Sequence, residues 1–212
     1  MISVLLGYLA GSVPFAYLLA RRRGVDVRVA GSGNVGAANV MRTTGTGRAV
    51  AVMALDVAKG AAAVALAYLS SGGAPLAAVT GAAAVVGHIY PVWLRFHGGK
   101  GVAVAAGVFS VLAPIATAIA AALFVLTVWL TRYVSLGSIA ATVALPPAAW
   151  LAGSPGTVVG AAGGTAALIL FRHRANLRRL RAGTERRMTR NRASADEAWR
   201  GLQTPPGAGP KA

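Results

Sequence analysis

A glycine-rich polar segment, residues 31–42, has the residue types of a phosphate-binding loop. It reads GSGNVGAANVMR, with glycines at positions 31, 33 and 36. Glycines allow left-handed or crowded backbone, so that several amide N–H groups can converge on one anion. Polar side chains complete the set: Ser32, Asn34, Asn39 and Arg42. The segment therefore predicts an anion-binding loop, and the alternative from residue types alone is a flexible turn between two helices.

The same glycines spell G-x-G-x-x-G, the fingerprint of a dinucleotide-binding βαβ unit. That unit needs a buried strand before the glycines and an acidic ribose partner about 20 residues after them. Residues 25–30 make a poor strand, and no βαβ pattern or acidic partner follows. We therefore exclude a dinucleotide-binding fold.

Two later clusters could bind anions as well. Glycines at 98, 99 and 101 flank Lys100, so exposed amides and a lysine charge could clamp a phosphate at a helix start. The alternative is a membrane-entry loop whose lysine reaches the aqueous surface. His173 and Asn176 are three residues apart and would share one helical face among several arginines. The alternative for that cluster is a solvated, basic helix end.

The composition indicates a membrane protein. Of the 212 residues, 56% are hydrophobic and 12% are charged, and the mean hydropathy is +0.62, values that a soluble domain of this size rarely has. The net charge of +16 is compatible with nucleic-acid binding, but the basic residues do not interleave with aromatic ones and no such motif occurs. The chain has no cysteine, and its three histidines and five acidic residues are scattered. We therefore predict no metal site and no cofactor.

Uncharged apolar segments predict an all-α polytopic membrane protein. Residues 1–20 carry no charge, and at ~1.5 Å per residue they match a hydrocarbon core of ~30 Å. No basic stretch precedes them, so we interpret them as a retained span, kinked at Pro14, and not as a cleaved signal. Further spans are predicted at residues 49–69, 72–94, 135–151 and 158–171.

Residues 101–131 are too long for one ordinary span and short for two. Two crossings put Lys100 and Arg132 on the same side of the membrane, as the positive-inside rule prefers. We therefore predict two short helices that turn near Ala113 and Pro114, giving seven transmembrane helices in total. All strongly basic segments then face the cytoplasm, with the N-terminus outside and the C-terminus inside.

Polar residues within the predicted spans are few. Asp56 and Lys59 lie three apart inside the second span, where an unpaired charge is costly, and they predict a structural ion pair. His88 is interpreted as a hydrogen-bonded histidine of the bundle. Many alanines and glycines elsewhere predict closely packed helices. We assign residues 1–185 to the membrane domain and residues 186–212 to a basic tail without defined structure, apart from a short stretch around residues 196–202.

Five groups of residues, taken in order, form a recognisable set. They are 31–36 with Asn39 and Arg42, 87–91, 96 with 98–103, 133–136, and 172–176 with 179–180 and 183–185. This set resembles the motifs of the bacterial acyl-phosphate-dependent glycerol-3-phosphate acyltransferases. The likeness runs from residue 1 to about residue 185 and departs at Ala38, where the family usually has threonine.

The resemblance implies an integral enzyme of the bacterial inner membrane with seven spans and a cytoplasmic active site. It would move a fatty acyl chain from acyl phosphate to the 1-hydroxyl of sn-glycerol 3-phosphate, forming lysophosphatidic acid and phosphate for phospholipid synthesis. Its partners would be these substrates and membrane lipid, with no nucleic acid; no oligomeric state is indicated. The residues agree, because two phosphate substrates need two anion sites and a mixed anhydride needs orientation and charge stabilisation more than a strong nucleophile.

The predicted site follows from the motifs. The His-x4-Asp signature of soluble-type acyltransferases is absent, because no aspartate lies five residues after any histidine. We predict three catalytic residues, Lys100, His173 and Ser135. We predict phosphate binding by Ser32, Gly33, Asn34, Gly36, Asn39, Arg42, Gly98, Gly99 and Asn176. The hydroxyl proton could pass to a substrate phosphate oxygen or to His173.

Rival functions make different demands on the sequence. A small anion or phosphate-ester transporter is the main alternative, but it predicts duplicated halves or polar residues at mid-membrane depth. A phosphatidyl-alcohol transferase needs an array of metal-binding aspartates, which Asp26, Asp56 and Asp196 cannot build. A scaffold role leaves the glycine motifs unexplained.

Overall fold

The computed structural model describes residues 1–70 and 73–188, and this part of the chain is helical without any β-strand. Ten α-helices lie in it: α1 Ile2–Ser12, α2 Phe15–Arg21, α3 Ala37–Thr44, α4 Thr46–Leu69, α5 Gly73–Ile89, α6 Val102–Leu112, α7 Pro114–Thr131, α8 Val134–Leu151, α9 Gly156–Arg172 and α10 Arg174–Arg181. The all-α prediction is confirmed. The stretch around residues 196–202 lies outside the described residues, and the division at residue 185 stays a prediction.

Five segments of the described chain are long and apolar enough to cross a membrane. They are Ile2–Arg21, Thr46–Leu69, Gly73–Leu94, Pro114–Thr131 and Val134–Leu151. The apolar helices α6 and α9 have only 11 and 17 residues. At ~1.5 Å per residue α6 is ~17 Å long, well short of a hydrocarbon core. The structure therefore supports a multi-pass chain, and the count of seven spans stays a prediction.

Prolines interrupt the bundle where the sequence predicts. The first apolar run is broken at Val13 and Pro14, between α1 and α2. The long run from 101 to 131 is divided at Ala113, and Pro114 is the first residue of α7. Proline lacks the N–H of a helical hydrogen bond but fits a first helical position. The two-helix interpretation of residues 101–131 is thereby confirmed.

Glycines bring the helices into backbone contact. A Cβ atom at Gly11 of α1 would collide with the backbone of Ala84 in α5, and one at Gly107 of α6 would collide with the carbonyl of Val57 in α4. Such contacts increase van der Waals packing where lipid supplies no hydrophobic drive for association. The predicted close packing of small residues is confirmed, and it fixes α4, α5 and α6 as the frame around the polar site.

A buried ion pair lies at the centre of this frame. Lys59 Nζ is 2.8 Å from Asp56 Oδ1, and the two residues are 7% and 2% exposed. Lys59 Nζ also donates to the carbonyl of Val13 at the broken first helix, at 2.8 Å. The predicted ion pair is confirmed, and it joins α4 to the break between α1 and α2.

We expect Asp56→Asn to lower the free energy of unfolding by roughly 3–5 kcal/mol, because it leaves the Lys59 ammonium buried without a counter-charge. Denaturant unfolding of the detergent-solubilised protein measures the effect. The double variant Asp56→Leu/Lys59→Met removes both charges and should recover most of the loss. If the Asp56→Asn variant were as stable as the parent, the ion pair would not contribute to the free energy of unfolding.

Candidate active site

The glycine-rich loop at residues 31–36 is held from below by one asparagine. Asn39 Oδ1 accepts from the Ser32 amide at 2.8 Å, and its Nδ2 donates to the carbonyls of Val27 and Ala30 at 2.9 and 3.0 Å. Gly31 and Gly33 have φ angles of 65° and 72°, in the left-handed region that favours glycine. The loop is therefore a fixed structure and not a flexible turn.

Asn39 itself does not bind phosphate in this arrangement. A phosphate oxygen needs a donor, and both hydrogens of the Asn39 amide are used by loop carbonyls. The side chain is also 1% exposed. Asn39 therefore shapes the loop that carries Ser32 and Asn34, and its predicted phosphate contact stays a prediction that would require these hydrogen bonds to break. Buried Val27, Val35 and Val40 pack beneath the same loop.

The second glycine loop, residues 97–101, is built differently from the prediction. The amides of Gly98 and Gly99 donate to the carbonyls of Ile89 and His88, both at 3.1 Å, so they are not free for an anion. A Cβ at either glycine would collide with the 88–91 segment. Gly98 and Gly99 let the loop lie flat on the end of α5, and their predicted phosphate contacts stay predictions that would require these amides to leave their carbonyl partners. That packing leaves Lys100 to provide the charge.

Lys100 leads a chain of charged hydrogen bonds. Its Nζ donates to Asn176 Oδ1 at 2.6 Å, and Asn176 Nδ2 donates to Glu185 Oε1 at 2.6 Å. Arg179 Nε in turn donates to Glu185 Oε2 at 2.6 Å. Burial would raise the pKa of Glu185, but contacts from Ser135, Asn176 and Arg179 hold it below its usual range. The three positions 100, 176 and 185 therefore form one unit despite their distance in sequence.

Burial lowers the pKa of Lys100 to about 8, with the nearby charges of Arg179, Arg42 and Arg172 acting in the same direction and Glu185 opposing them. An amine in this state is still mainly charged at neutral pH, and an added phosphate dianion would stabilise its charge. The surrounding arginines thus leave the site with an excess of positive charge, which a bound anion would neutralise.

His173 is a neutral hydrogen-bonding group at the break between α9 and α10. It is 2% exposed, and its Nδ1 lies 2.8 Å from the carbonyl of Ile169. A carbonyl only accepts, so Nδ1 carries the hydrogen and Nε2 has the free lone pair. Burial, followed by the charge of Lys100, lowers the His173 pKa to about 4. The ring therefore accepts a hydrogen bond at neutral pH.

Ser135 stands in the first turn of α8, beside this cluster. It is 8% exposed, and its side chain lies near enough to Glu185 to lower the pKa of that carboxyl, but its hydroxyl makes no well-formed hydrogen bond within the described residues. A buried hydroxyl without a partner is costly, which marks it as available to a ligand.

A single cavity of about 1530 Å³ joins these groups. Its lining includes every predicted site residue except Gly99, and Asn34, Lys100 and His173 share it. At the polar end the described residues contribute seven arginines and lysines but only two acidic residues, one of which is the paired Asp56. The apolar end lies between α6, α7, α8 and α9. These helices line it with Phe109, Ala120, Phe124, Val125, Leu145 and Ala166. The predicted convergence of distant loops is observed.

Sequence reasoning did not assign a role to three lining residues, Glu185, Arg172 and Arg179. Arg172 Nη2 contacts the Gly98 carbonyl at 3.4 Å, which ties α9 to the lysine loop. The sequence contains a feature that could have indicated a role for Glu185. It is one of only five acidic residues, and it lies four residues after the end of the arginine-rich helix α10. A single acidic residue beside several arginines is expected to form charge-assisted hydrogen bonds with them and hold them in place.

The fold and the cavity define a class: a membrane protein, all-helical in its described residues, with a cationic pocket that opens into an apolar groove. A family model described as glycerol-3-phosphate acyltransferase matches residues 1–183. The chain belongs to the glycerol-3-phosphate acyltransferase family. Membership decides against the transporter, phosphatidyl-alcohol transferase and scaffold alternatives.

Relatives and solved structures agree with this assignment. The glycerol-3-phosphate acyltransferase of Myxococcus xanthus is 49% identical over 186 residues, covering 87% of this chain and 97% of that protein. The one from Geotalea daltonii is 48% identical over 180 residues, covering 84% of this chain and 92% of that protein. The crystal structure of PlsY, an integral membrane glycerol 3-phosphate acyltransferase, in its glycerol 3-phosphate form is 41% identical, with a TM-score of 0.85 over 89% of this chain and 94% of that one. The structure of the lysophosphatidic acid form of PlsY is 40% identical in sequence, with a TM-score of 0.83.

Proposed function

We propose that the protein transfers a fatty acyl chain from acyl phosphate to the 1-hydroxyl of sn-glycerol 3-phosphate, giving lysophosphatidic acid and inorganic phosphate. The observation that carries the proposal is the cavity, which has a cationic end and an apolar end in one continuous space. An acyl phosphate has the same division between a charged head and an apolar chain. The cationic end also has room and charge for a second, small phosphate ester.

The site would work by orientation and charge. Lys100 with Ser32, Gly33, Asn34 and Gly36 would hold phosphate oxygens, and the first turn of α3 adds amides without intrahelical partners. These donors would stabilise the charge on the departing phosphate. The new bond joins the hydroxyl oxygen to the acyl carbon, and the bond from that carbon to the phosphate oxygen breaks.

The acceptor would be fixed by a second group of residues. Arg42 and Asn176 would orient glycerol 3-phosphate, and Ser135 would complete its polar surroundings. His173 Nε2 would accept a hydrogen bond from the reacting hydroxyl. The pKa of His173 is lowered to about 4, which makes the ring a weak base. We therefore assign the hydroxyl proton to an oxygen of a substrate phosphate group, because the second pKa of such a group is about 6.

The donor assignment is tested by comparing palmitoyl phosphate with palmitoyl coenzyme A on the purified protein, each with glycerol 3-phosphate and without added metal. We expect lysophosphatidic acid and an equal amount of phosphate from the first donor only. Product from the coenzyme A ester alone would overturn the donor assignment, and no product from either would overturn the activity.

The same proposal includes the membrane arrangement. The seven spans, with the N-terminus outside and the C-terminus inside, would put the site on the cytoplasmic side of the bacterial inner membrane. The clustering of cations around the cavity supports this side, since basic segments favour the cytoplasm. Accessibility labelling of single cysteines at Ser3 and Thr184, in a chain that has no natural cysteine, distinguishes the two faces.

The Lys100 pKa predicts a pH effect on substrate binding. Since the pKa is lowered to about 8, the ammonium loses its proton within the alkaline assay range, and kcat/KM should fall as pH rises through about 8. Lys100→Arg keeps its charge there, so its profile should lack this step even if its activity is lower. A wild-type profile that stays flat up to pH ~10, the ordinary lysine range, would contradict the assignment.

A further inference from the structure

His88 lies at the end of α5 and lines the cavity, but the proposed mechanism gives it no part. Its side chain is 9% exposed, and its Nδ1 lies 3.1 Å from Lys59 Nζ. Lys59 is held in turn by Asp56 at 2.8 Å and by the Val13 carbonyl at 2.8 Å. The imidazole is therefore anchored on one side by a buried ion pair.

That anchor determines which ring nitrogen carries the hydrogen. An ammonium group only donates, so His88 Nδ1 must accept from Lys59. In a neutral ring the hydrogen is then on Nε2. Asp56 Oδ1 is 3.6 Å from Nδ1, too far for a competing hydrogen bond. The opposite edge of the ring is consequently a fixed N–H donor.

The Nε2 edge lies where the two glycine loops meet. A Cβ atom added to Gly99 would collide with His88 Nε2 and with the Val35 carbonyl, so the ring edge lies against the Gly99 Cα beside the first loop. Among the hydrogen bonds of the described residues, those of the His88 side chain involve Nδ1 alone. The Nε2 hydrogen thus has no hydrogen-bond partner within the described residues, and His88 itself lines the cavity although Gly99 does not.

This position is a boundary between charged and apolar surroundings. The cavity that His88 lines is bounded both by the first loop with Lys100 and by apolar residues, Met53 and Val57 of α4 and Ala106 of α6. In an acyl phosphate, the carbonyl is the group that joins the charged head to the apolar chain. A neutral donor at the boundary matches a carbonyl oxygen better than a phosphate, which the nearby cations attract.

We propose that His88 is a further substrate-contacting residue, whose Nε2–H donates to the carbonyl oxygen of the acyl donor and stabilises the negative charge that develops there during attack. The Asp56–Lys59 pair acts as a positioning unit that fixes the ring and its tautomer. This inference rests on the proposed use of acyl phosphate. It adds to the phosphate-binding groups an electrostatic contact at the reacting carbon.

Two near-isosteric variants separate this contact from a structural role. His88→Gln puts an amide nitrogen near the position of Nε2, whereas His88→Asn puts its amide near Nδ1 and can keep the contact with Lys59. We expect His88→Asn to lower kcat by ~10²-fold, the typical cost of losing one such donor, and His88→Gln to retain at least ~10-fold more activity than His88→Asn. His97→Gln, on an exposed histidine nearby, serves as the matched control.

A ligand pair tests the contact without turnover. Palmitoyl phosphonate retains the carbonyl, but a C–P bond replaces the anhydride C–O bond that breaks in palmitoyl phosphate. Hexadecyl phosphonate has a methylene group in place of the carbonyl. In wild-type protein the ketone should bind roughly 3–10-fold tighter, as expected for one hydrogen bond. His88→Asn should remove that difference while binding hexadecyl phosphonate as well as the parent does.

The outcomes are distinguishable. If wild-type protein does not use palmitoyl phosphate, the proposed function fails before His88 is tested. If wild-type protein is active but the ligand preference survives His88→Asn, or if His88→Gln is no more active than His88→Asn, the carbonyl contact is overturned. If both ligands lose affinity equally in a variant, His88 is a structural residue only.

Discussion

Replacing Lys100 with methionine is expected to reduce kcat/KM by ~10³-fold or more, because it removes the charge that we propose to hold the substrate phosphates while keeping the aliphatic stem. Lys100 is the residue through which the glycine loop joins α10, since its Nζ donates to Asn176 at 2.6 Å. Without the ammonium, the phosphate would lose an ionic hydrogen bond in a partly buried site, where such bonds are strongest.

The protein should nevertheless stay folded. Burial lowers the Lys100 pKa, and repulsion from Arg179, Arg42 and Arg172 acts in the same direction while Glu185 opposes it. An uncharged side chain here removes a buried charge, which offsets part of the lost bond to Asn176. Initial rates of phosphate release measure activity, and thermal unfolding in detergent measures stability. Arg23→Ala, on an exposed turn, removes one positive charge elsewhere and should act like wild type. A Lys100→Met protein with more than a tenth of wild-type activity would eliminate lysine from the mechanism.

Asn39→Asp is expected to lower the free energy of unfolding by at least ~2 kcal/mol and kcat/KM by ~10²-fold. The substitution preserves shape but replaces the donor Nδ2 with an oxygen that faces the carbonyls of Val27 and Ala30. The glycine loop would shift away from these repelling oxygens, and with it Ser32 and Asn34. A displacement of about 1 Å at a positioning group is sufficient for such a loss of rate.

Thr43→Val is the matched control for this prediction. Thr43 lies on the same helix, and its hydroxyl bonds only to the Asn39 carbonyl of the preceding turn. We expect wild-type kinetics and stability within about 0.5 kcal/mol. If Asn39→Asp behaved like Thr43→Val, the loop would not depend on the asparagine, and its three hydrogen bonds would be incidental.

The sequence was sufficient to predict the features set by composition and by proline. Uncharged runs marked the apolar helices, and Pro14 and Pro114 marked the interruptions at residues 13–14 and 113. The spacing of Asp56 and Lys59 identified an ion pair because both side chains lie on one helix. The convergence of the polar loops was predictable from the membrane topology, since basic segments gather on one face.

Three of the predicted phosphate-binding residues make contacts that the sequence does not reveal. Gly98, Gly99 and Asn39 have suitable types for binding phosphate, but their hydrogen-bonding groups are satisfied by carbonyls of the protein itself. Which donor faces a ligand and which one holds a loop depends on contacts between segments that lie far apart or fold back locally. The link from Lys100 through Asn176 to Glu185 is of the same kind, and composition gives no measure of it.

The central claim is that two phosphate esters bind side by side in one cavity, and a structure of the ternary complex tests it most directly. The protein would be crystallised, or imaged by electron microscopy, with both glycerol 3-phosphate and unreactive palmitoyl phosphonate. We predict both phosphorus groups at the cationic end, within reach of Lys100 and Arg42, with the acyl chain between α6, α7, α8 and α9. Occupation of separate sites, or displacement of one ligand by the other, would contradict the account.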